Sequence, residues 1–346
     1  MPPLFRSVGT PMPGVKDVAA LAGVSASTVS NFLNRPEVVL PDTRIRIERA
    51  VQQLGFVRNE TARHLRAGSS RTIALMLLDA WIPFYGEVAR GVEDAAATGG
   101  WTVLFSNSAR DPERELRSLN IFEAQRVHGV LVVPQQDLRQ RLRELQRRGI
   151  TCVTVEQAAD ADDISSVAID DVAGGRAAAR HLIAGGRTDL MLIGNPNTVT
   201  HVRDRFAGCT EIANTTPGVR CRLTETDGLT MRAGSEAVRR LLTDRPDNMP
   251  DALFAANDLV ALGALQELLA ASVQVPTDVA VLGYDGLEFA AHAPVPLSTV
   301  AQPAYEMGRV ATEILIAGME GREQPGDSHR TFEPTVIARE STRPSR

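Results

Sequence analysis

The chain has 346 residues, of which 43% are hydrophobic and 23% are charged. This length predicts two or three domains, and the composition is typical of a globular protein and excludes a disordered one. The formal net charge of −5 is uneven: residues 1–70 hold nine Lys/Arg against five Asp/Glu, and the remainder holds 28 against 37. A basic head on an acidic body predicts that only the head contacts a polyanion.

The cysteines and the N-terminal sequence indicate in which cellular compartment the protein is expected. Cys152, Cys209 and Cys221 are odd in number and have no C-x-x-C spacing, which predicts a reducing environment without disulfides. The N-terminus lacks the order of a signal peptide, and no apolar run has the length of a membrane span. We therefore expect a cytoplasmic protein with no membrane partner.

The first predicted elements are short helices. After a flexible arm over residues 1–14, helices are predicted over 16–22, 26–33 and 43–54, and residues 59–66 could add one or two helical turns. The apolar residues of the third helix recur at i, i+3, i+4 and i+7, which places one face against a core.

The first two helices are typical of a helix-turn-helix DNA reader. Val29, Phe32 and Leu33 are predicted to face inward, with Leu21 on the apolar side of the first helix. The opposite side of the second helix carries small neutral residues where a solvated helix would carry Lys and Glu, and such a face suits base edges and phosphates. A helical hairpin of an unrelated bundle would also fit these two helices alone. The candidate DNA-contacting residues are Ser25, which we expect at the N-cap, and Ala26, Ser27, Thr28, Ser30, Asn31 and Asn34.

From residue 71 onward, short apolar runs alternate with segments of helical length. The alternation predicts parallel α/β layers joined by right-handed crossovers. We find no P-loop, no G-x-G-x-x-G after a strand, no G-x-S-x-G and no metal-ligand spacing, so we expect no enzyme, no cofactor and no metal. The predicted buried strands are residues 72–78, 101–105, 129–134, 151–155, 167–169, 189–194, 251–256 and 279–284.

Several segments resemble, in matching order, the lactose-repressor/purine-repressor (LacI/GalR-type) family of bacterial transcription regulators. They are VKDVAALAGVSASTVSNFLNRP, NETARHLRAGSSRTIAL, FAANDLVALGAL, VAVLGYDG and PLSTVAQPAYEMG. The resemblance implies an all-α DNA-binding head over 15–58, a hinge helix and linker over 59–70, and a two-lobed, periplasmic-binding-protein-like α/β body over 71–340. A periplasmic ligand-binding protein would share the body but would lack the head.

The resemblance also implies three crossings between the lobes, while the C-terminal sequence STRPSR predicts a frayed tail. The crossings are expected near residues 169–172, 300–303 and 328–332. Lobe 1 would then comprise about 71–170 plus 302–329, lobe 2 about 171–301 plus 330–340, and the tail 341–346.

On DNA, the resemblance implies a homodimer on a palindromic operator in double-stranded DNA, with the hinge helix against the minor groove. Leu65 stands where the family inserts a wedge at the central base step, and Ala62 where the two hinge helices pack together. Asn31 stands where many members carry Arg. Because a short amide prefers adenine to guanine, the operator is expected to differ from those of better-known members.

In the body, the resemblance implies an effector bound between the lobes. A converging carboxylate, arginine and amide suit a small polyhydroxylated ligand, first of all a sugar or sugar derivative. A nucleoside, a purine or an anionic metabolite stays open, since His201 and Leu229 replace residues that contact sugars in other members. The candidate effector residues are Asp79, Phe84, Tyr85, Glu156, His201, Arg205, Leu229, Asn257, Asp285 and Gln302.

Some of these side chains have structural alternatives. Phe84 and Tyr85 could be plain core, and Arg205 and Asp285 could pair with each other in an empty cleft. Asp258, next to Asn257, is predicted to cap the following helix and not to contact ligand.

Overall fold

The computed structural model describes residues 13–56, 71–157, 164–197, 200–244, 249–322 and 328–343. Its contacts divide the chain into two compact units, residues 1–70 and 71–346. We call the first unit the head and the second the body. None of the helices within the described ranges has the length and apolar character that a membrane span requires.

The head consists of short helices around a small apolar core. The helices are α1 (Val15–Ala22), α2 (Ala26–Asn34) and α3 (Pro41–Leu54), with a 3-10 turn at Pro36–Val38. Their bounds lie within two residues of the predicted ones, because each helix is marked by local apolar spacing and by a residue that ends it.

The apolar side of α1 differs from the prediction at one residue. Val18 and Ala19 of α1 pack with Val29 of α2 and Ile47 of α3 in the core of the head. Leu21, predicted on the same apolar side, is 45% exposed. The turn of the helix directs the inward stripe away from Leu21, so its side chain faces solvent instead.

The first lobe of the body is a fully parallel, six-stranded sheet of order β11-β5-β4-β3-β1-β2. Helices cover its central strands, which therefore read as continuous apolar runs and not as alternating ones. The strands are β1 (Thr72–Leu77), β2 (Thr102–Asn107), β3 (Gly129–Val132), β4 (Thr151–Glu156), β5 (Ser165–Ile169) and β11 (His329–Phe332), and the helices are α4 (Pro83–Thr98), α5 (Pro112–Ala124), α6 (Arg139–Arg147) and α11 (Ala304–Met319).

The second lobe repeats this arrangement in the order β12-β10-β9-β8-β6-β7, with only β12 antiparallel to its neighbour. Its strands are β6 (Asp189–Ile193), β7 (Arg220–Thr224), β8 (Ala252–Ala255), β9 (Ala280–Asp285), β10 (Ser298–Ala301) and β12 (Thr335–Ile337), and its helices are α7 (Asp171–Ala184), α8 (Thr200–Thr215), α9 (Met231–Asp244) and α10 (Asp258–Ala270).

The third crossing between the lobes lies later than predicted. Strand β11 pairs with β5, from His329 opposite Ser166 to Phe332 opposite Ile169, so residues 330–332 belong to lobe 1. The chain then enters lobe 2 at β12, and the crossing falls at residues 333–334. The first two crossings lie between β5 and α7 and between β10 and α11.

The predicted tail begins within the core of lobe 2. Ser341 and Thr342 are buried. The hydroxyl of Ser341 donates to the carbonyl of Val281 at 2.6 Å and accepts from the amide of Ser298 at 2.8 Å. The prediction of a frayed tail from residue 341 was therefore wrong, because these hydroxyls satisfy buried backbone groups.

Two helices of lobe 2 pack unusually closely because each has a glycine at the contact. Gly175 lies inside α7, and a Cβ there would stand 1.9 Å from the carbonyl oxygen of Arg205 in α8. Gly208 of α8 is the counterpart, with Val172 of α7 at 2.0 Å from a built Cβ. Only glycines permit this approach, which brings the side chain of Arg205 to the start of α7.

We expect Gly175→Ala to destabilise the body by about 2 kcal/mol, since the added methyl group overpacks a backbone contact that cannot yield without moving a helix. Urea denaturation followed by circular dichroism measures the change. The matched control is Gly86→Ala in α4, where no atom lies within 4 Å of the built Cβ and helix propensity predicts a gain of about 0.5–1 kcal/mol. Equal effects of the two substitutions would contradict the packing argument.

Candidate functional site

Helix α2 begins with a cap that the sequence predicts. The Ser25 hydroxyl accepts from the backbone N–H of Thr28 at 3.1 Å and lies 2.8 Å from the Thr28 hydroxyl and 2.7 Å from that of Ser27. These bonds satisfy one of the free N–H groups at the helix start and order the hydroxyls of its first turn.

The outward side of α2 carries the predicted small residues. Ala26, Ser27 and Asn31 are exposed, whereas Thr28 and Ser30 are half-buried. The exposed side chains are short, so the helix backbone can approach a groove closely while amide and hydroxyl groups remain available to base edges and phosphates.

Three predicted DNA contacts fall outside the part of the chain that the structure describes. Ala62 and Leu65 lie outside the described residues, as does the side chain of Asn34 at the end of α2. Their roles stay predictions.

In the body, a cavity of about 670 Å³ lies between the lobes, at the carboxyl ends of β3, β4 and β5 and the starts of α7 and α8. Among the predicted effector residues, Glu156 and His201 line it directly. The other lining residues with polar side chains are Gln135, Gln136, Asp137, Arg139, Thr154, Gln157, Asp170, Asp171, Thr200, Arg203, Asp204 and Thr331.

Arg205 lies directly behind the cavity wall, 1% exposed. Its Nε donates to Asp171 Oδ1 at 2.8 Å, and its Nη1 donates to the carbonyl of Ala256 at 2.8 Å and lies 3.6 Å from Asp285 Oδ1. The guanidinium carbon lies 3.7 Å from the centre of the Tyr284 ring. Burial alone would lower the pKa of Arg205, but the carboxylates of Asp171 and Asp285 raise it above its usual range, so the cation is fixed.

Asp171 was not among the predicted effector residues. The structure makes it the shortest ionic partner of Arg205, while the predicted Arg205–Asp285 pair is the longer of the two contacts. The signal available in the sequence is the doubled aspartate that follows β5, where carboxyl ends of parallel strands face the ligand cleft.

Asp285 and Gln302 form a second polar contact of this cluster. The Gln302 amide donates to Asp285 Oδ1 at 2.8 Å, across the crossing between β10 and α11. Burial raises the pKa of Asp285 to about 7, and Arg205 opposes this rise. Asp285 also has a positive φ of 110°, a conformation that a non-glycine residue adopts only where its surroundings enforce it.

In the first lobe, Tyr85 connects the apolar core to the cavity. Its hydroxyl donates to Glu156 Oε2 at 2.7 Å, and its ring meets the Phe84 ring edge-on at 5.3 Å. Burial raises the pKa of Glu156 to about 8. Both aromatic rings are buried in the core, so Phe84 follows the plain-core alternative while Tyr85 orients a cavity carboxyl.

The start of α10 differs from the prediction. Asn257, not Asp258, is the cap: its Oδ1 accepts from the N–H of Val260 at 2.9 Å, and its Nδ2 donates to the carbonyl of Leu229 at 3.4 Å. Both ends of this amide are engaged within the protein, so the structure gives Asn257 a capping role, and its contact with a ligand stays a prediction. Leu229 is buried beside it.

Asp258 instead holds the segment that follows β9. Its Oδ2 accepts from the N–H groups of Gly286 at 3.0 Å and Leu287 at 2.8 Å. A Cβ built on Gly283 would lie 2.2 Å from Asp258 Oδ1, so the glycine makes room for this carboxyl. The bonds fix the backbone immediately after Asp285.

The remaining two candidates are Asp79, which does not line the cavity, and His201, which does. Asp79 accepts from the N–H of Trp81 at 3.2 Å and pairs with Arg110, whose Nε lies 3.4 Å from Oδ2. Burial and the nearby Arg205 hold the pKa of His201 well below its usual range, so the imidazole is neutral at pH 7.

Comparison with known proteins gives both parts of this chain a match. The model "Bacterial regulatory proteins, lacI family" matches residues 14–59, and the model "Periplasmic binding protein-like domain" matches residues 179–342. The HTH-type transcriptional repressor PurR of Aliivibrio fischeri (strain MJ11) is 31% identical over 338 residues, which is 95% of this chain and 98% of that protein. The ribose operon repressor of Escherichia coli (strain K12) is 33% identical over 333 residues, or 94% and 95%. The chain belongs to the lacI family of bacterial regulatory proteins.

Solved structures agree with this assignment. The lac repressor dimer bound to operator and the anti-inducer ONPF covers 96% of this chain and 99% of its own, with a TM-score of 0.82 at 24% identity, and shows the fold. The transcriptional regulator CelR in complex with cellobiose has 31% identity and a TM-score of 0.68, with 95% and 99% covered. As a lacI-family member, the chain is a DNA-binding regulator of transcription, and neither an enzyme nor a periplasmic binding protein.

The buried Asp258 predicts a pH dependence of stability. Burial, and next the charge of Asp285, raise its pKa to about 8, whereas an unfolded aspartate titrates near about 3.9. The folded state thus retains a proton that the unfolded state releases, and the resulting stability is full below about pH 4 and is lost as the pH rises to about 8. Asp258→Asn keeps the acceptor for Gly286 and Leu287 but has no proton to lose.

We expect the free energy of unfolding, measured with urea, to fall between pH 5.5 and pH 7.5. The fall should be larger in the wild type than in Asp258→Asn, by roughly 1 kcal/mol or more. The control is Asp227→Asn, which alters an exposed aspartate of the same lobe and should leave this difference unchanged. Parallel pH profiles for wild type and Asp258→Asn would show that Asp258 ionises normally.

Proposed function

We propose that the chain is a repressor that binds a palindromic operator as a homodimer and is controlled by a small polyhydroxylated effector in the cavity between the lobes. The observation that carries the proposal is the polar wall of this cavity, which includes the carboxyl groups of Glu156 and Asp171, with the Arg205 cation directly behind Asp171. Hydroxyl groups both donate and accept, so they fit a wall of carboxyl, amide and hydroxyl side chains. Two relatives are consistent with a polyhydroxylated effector, since one is a ribose operon repressor and the structure of another was solved with cellobiose.

The homodimer is supported by apolar residues at the outer edges of both sheets. In lobe 1, Leu104 and Phe105 of the edge strand β2 are exposed, as is Ile121 of α5. In lobe 2, Leu223 of the edge strand β7 and Met231 of α9 are exposed in the same way. A second copy that covers both edges would remove this apolar surface from water and leave neither sheet edge open to other chains.

DNA reading is assigned to α2, with Asn31 as the main base-contacting residue. Asn31 is exposed on the side opposite Val29, and an amide can donate to and accept from an adenine edge at once. Ala62 and Leu65 are proposed as the hinge contacts in the minor groove.

We expect Asn31→Ala to reduce discrimination between operator and random DNA by about 1–3 kcal/mol, because the lost amide reads a base and not the backbone. Competition binding at a fixed salt concentration measures it. The control is Gln53→Ala, which removes an exposed amide from α3 of the same head and should leave discrimination intact. If Asn31→Ala weakened both kinds of binding equally, Asn31 would contact phosphate or support the fold.

Effector control is assigned to the contacts that join Asp285 to Arg205 and Gln302. An effector shifts the relative orientation of the lobes only by its differential affinity for the two orientations, typically about 1–3 kcal/mol of coupling. Because Gln302 lies where the chain passes between the lobes, a ligand that alters the Asp285–Gln302 contact acts on the connection itself.

We expect Asp285→Asn to retain operator binding and to lose the effector response, since the substitution keeps the shape but removes the charge opposite Arg205. The measurement is operator binding by fluorescence anisotropy, with and without a ligand found by thermal-shift screening. The control is Glu288→Gln, an exposed carboxylate three residues away. A full response in Asp285→Asn, or loss of operator binding in a folded dimer, would contradict this route of control.

A further inference from the structure

The cavity is lined by more anionic than cationic side chains. Five carboxyl groups and two guanidinium groups line it, and the imidazole of His201 is neutral at pH 7. The carboxyl groups are those of Asp137, Glu156, Asp170, Asp171 and Asp204, and the guanidinium groups are those of Arg139 and Arg203.

Both wall arginines are already paired. Arg139 donates to both carboxylate oxygens of Asp137, at 2.9 and 2.6 Å, and Arg203 Nε lies 3.0 Å from Asp204 Oδ1. Arg205, behind the wall, compensates Asp171. The charge of each arginine of the wall is therefore offset by a neighbouring carboxylate.

Glu156 and Asp170 have no partner in an ion pair. Within the described part of the chain, no Lys or Arg lies within ion-pair distance of either carboxyl group. Each also retains one oxygen that accepts no bond there: Glu156 uses Oε2 for Tyr85, and Asp170 uses Oδ1 for the N–H of Ala173 at 2.7 Å. The two lie at the ends of neighbouring parallel strands, since Glu156 stands opposite Ala168 in the β4–β5 register.

Other acceptors near the cavity also lack donors. Gln135 Oε1, on the wall, is buried without a hydrogen-bond partner in the described structure. Glu115, fully buried behind it, uses Oε1 for the N–H of Gln135 at 2.7 Å and leaves Oε2 without a partner. Buried acceptors without donors are costly, so this wall favours a ligand that brings donors and positive charge.

We propose that the ligand of this cavity is a small polyhydroxylated molecule that carries a protonated amine, and that Glu156 and Asp170 hold its ammonium group. An ammonium group supplies three donors, no acceptor and one positive charge, which is what the two free carboxylate oxygens lack. The inference rests on the proposed function, because it takes this cavity to be the effector site. An anionic metabolite would meet uncompensated carboxylates and is disfavoured.

Binding of such a ligand is linked to a proton. Glu156 faces Tyr85 from α4, Arg205 from α8, Asp171 from α7 and Asp285 from β9, and burial raises its pKa to about 8. At pH 7 the carboxyl is therefore mostly protonated when the cavity is empty. A cation favours the ionised form, so binding should release a proton, and affinity should rise as the pH rises from 6 to 7, where the amine of the ligand is still mostly protonated.

The experiment uses the full chain and compares sugars that carry a positive charge, no charge or a negative charge. Glucosamine, galactosamine and mannosamine are titrated beside glucose, galactose, mannose and glucose 6-phosphate, by thermal shift and then by calorimetry in two buffers of different ionisation enthalpy. We expect at least one amino sugar to bind at least tenfold more tightly than its neutral parent and to release a proton at pH 7.

The variants locate the ammonium group. In Glu156→Gln combined with Asp170→Asn, the preference for the amine should disappear while the protein remains folded, since Asn is also a good helix cap. Asp170→Asn alone should lose part of the preference. The control Glu93→Gln removes an exposed carboxylate from α4 and should retain all of it.

Three results would overturn the inference: neutral sugars that bind as tightly as the amines, tighter binding of glucose 6-phosphate, or no binding by any amine. In the first two cases the cavity still binds an effector, so the proposed function stands and only the ligand class fails. If no compound of any charge binds and Asp285→Asn changes nothing, the proposed function fails as well.

Discussion

A buried guanidinium is the group on which the rest of the body depends. Arg205 is almost fully removed from water, and a bare cation in that position would cost many times what a typical domain has in net stability. Asp171, the Ala256 carbonyl and the Tyr284 ring compensate it from three different elements. Those elements must therefore meet at one point, and removal of any partner would leave an uncompensated buried charge.

The close helix contact of lobe 2 follows from the same requirement. Asp171 begins α7 and Arg205 lies in α8, and their side chains meet because Gly175 and Gly208 let the two helices approach to backbone contact. The start of α7 directly follows the first crossing from lobe 1. The ion pair thus fixes the position at which the second lobe begins, next to the Glu156 and Asp170 carboxyl groups at the strand ends of the first.

Burial of carboxyl groups links the ligand site to the protonation of the protein. Glu156, Asp258 and Asp285 all have raised pKa values, each with burial as the largest cause. They differ in their compensation: Asp258 accepts from backbone N–H groups, Asp285 lies 3.6 Å from Arg205, and Glu156 has the Tyr85 hydroxyl and the charge of Arg205 but no ion pair. The least compensated group lines the cavity, where a ligand can supply what the protein does not.

The sequence by itself determined the features that depend on near neighbours, and the tertiary structure decided those that depend on distant ones. Apolar spacing and the Ser25 cap located the head helices, and continuous apolar runs located the central strands, because strands covered on both faces need apolar side chains throughout. Strand β11 was not identifiable in this way, since an exposed edge strand with the sequence HRTF has no such pattern. Burial of Ser341 and pairing of Asp171 with Arg205 depend on partners 60 and 34 residues away. Asp258 does not cap its helix because its carboxyl accepts from Gly286 and Leu287, 28 and 29 residues away. Only the folded chain brings such partners together, because the spacing of residues along the sequence does not predict which donor a buried polar group will bind.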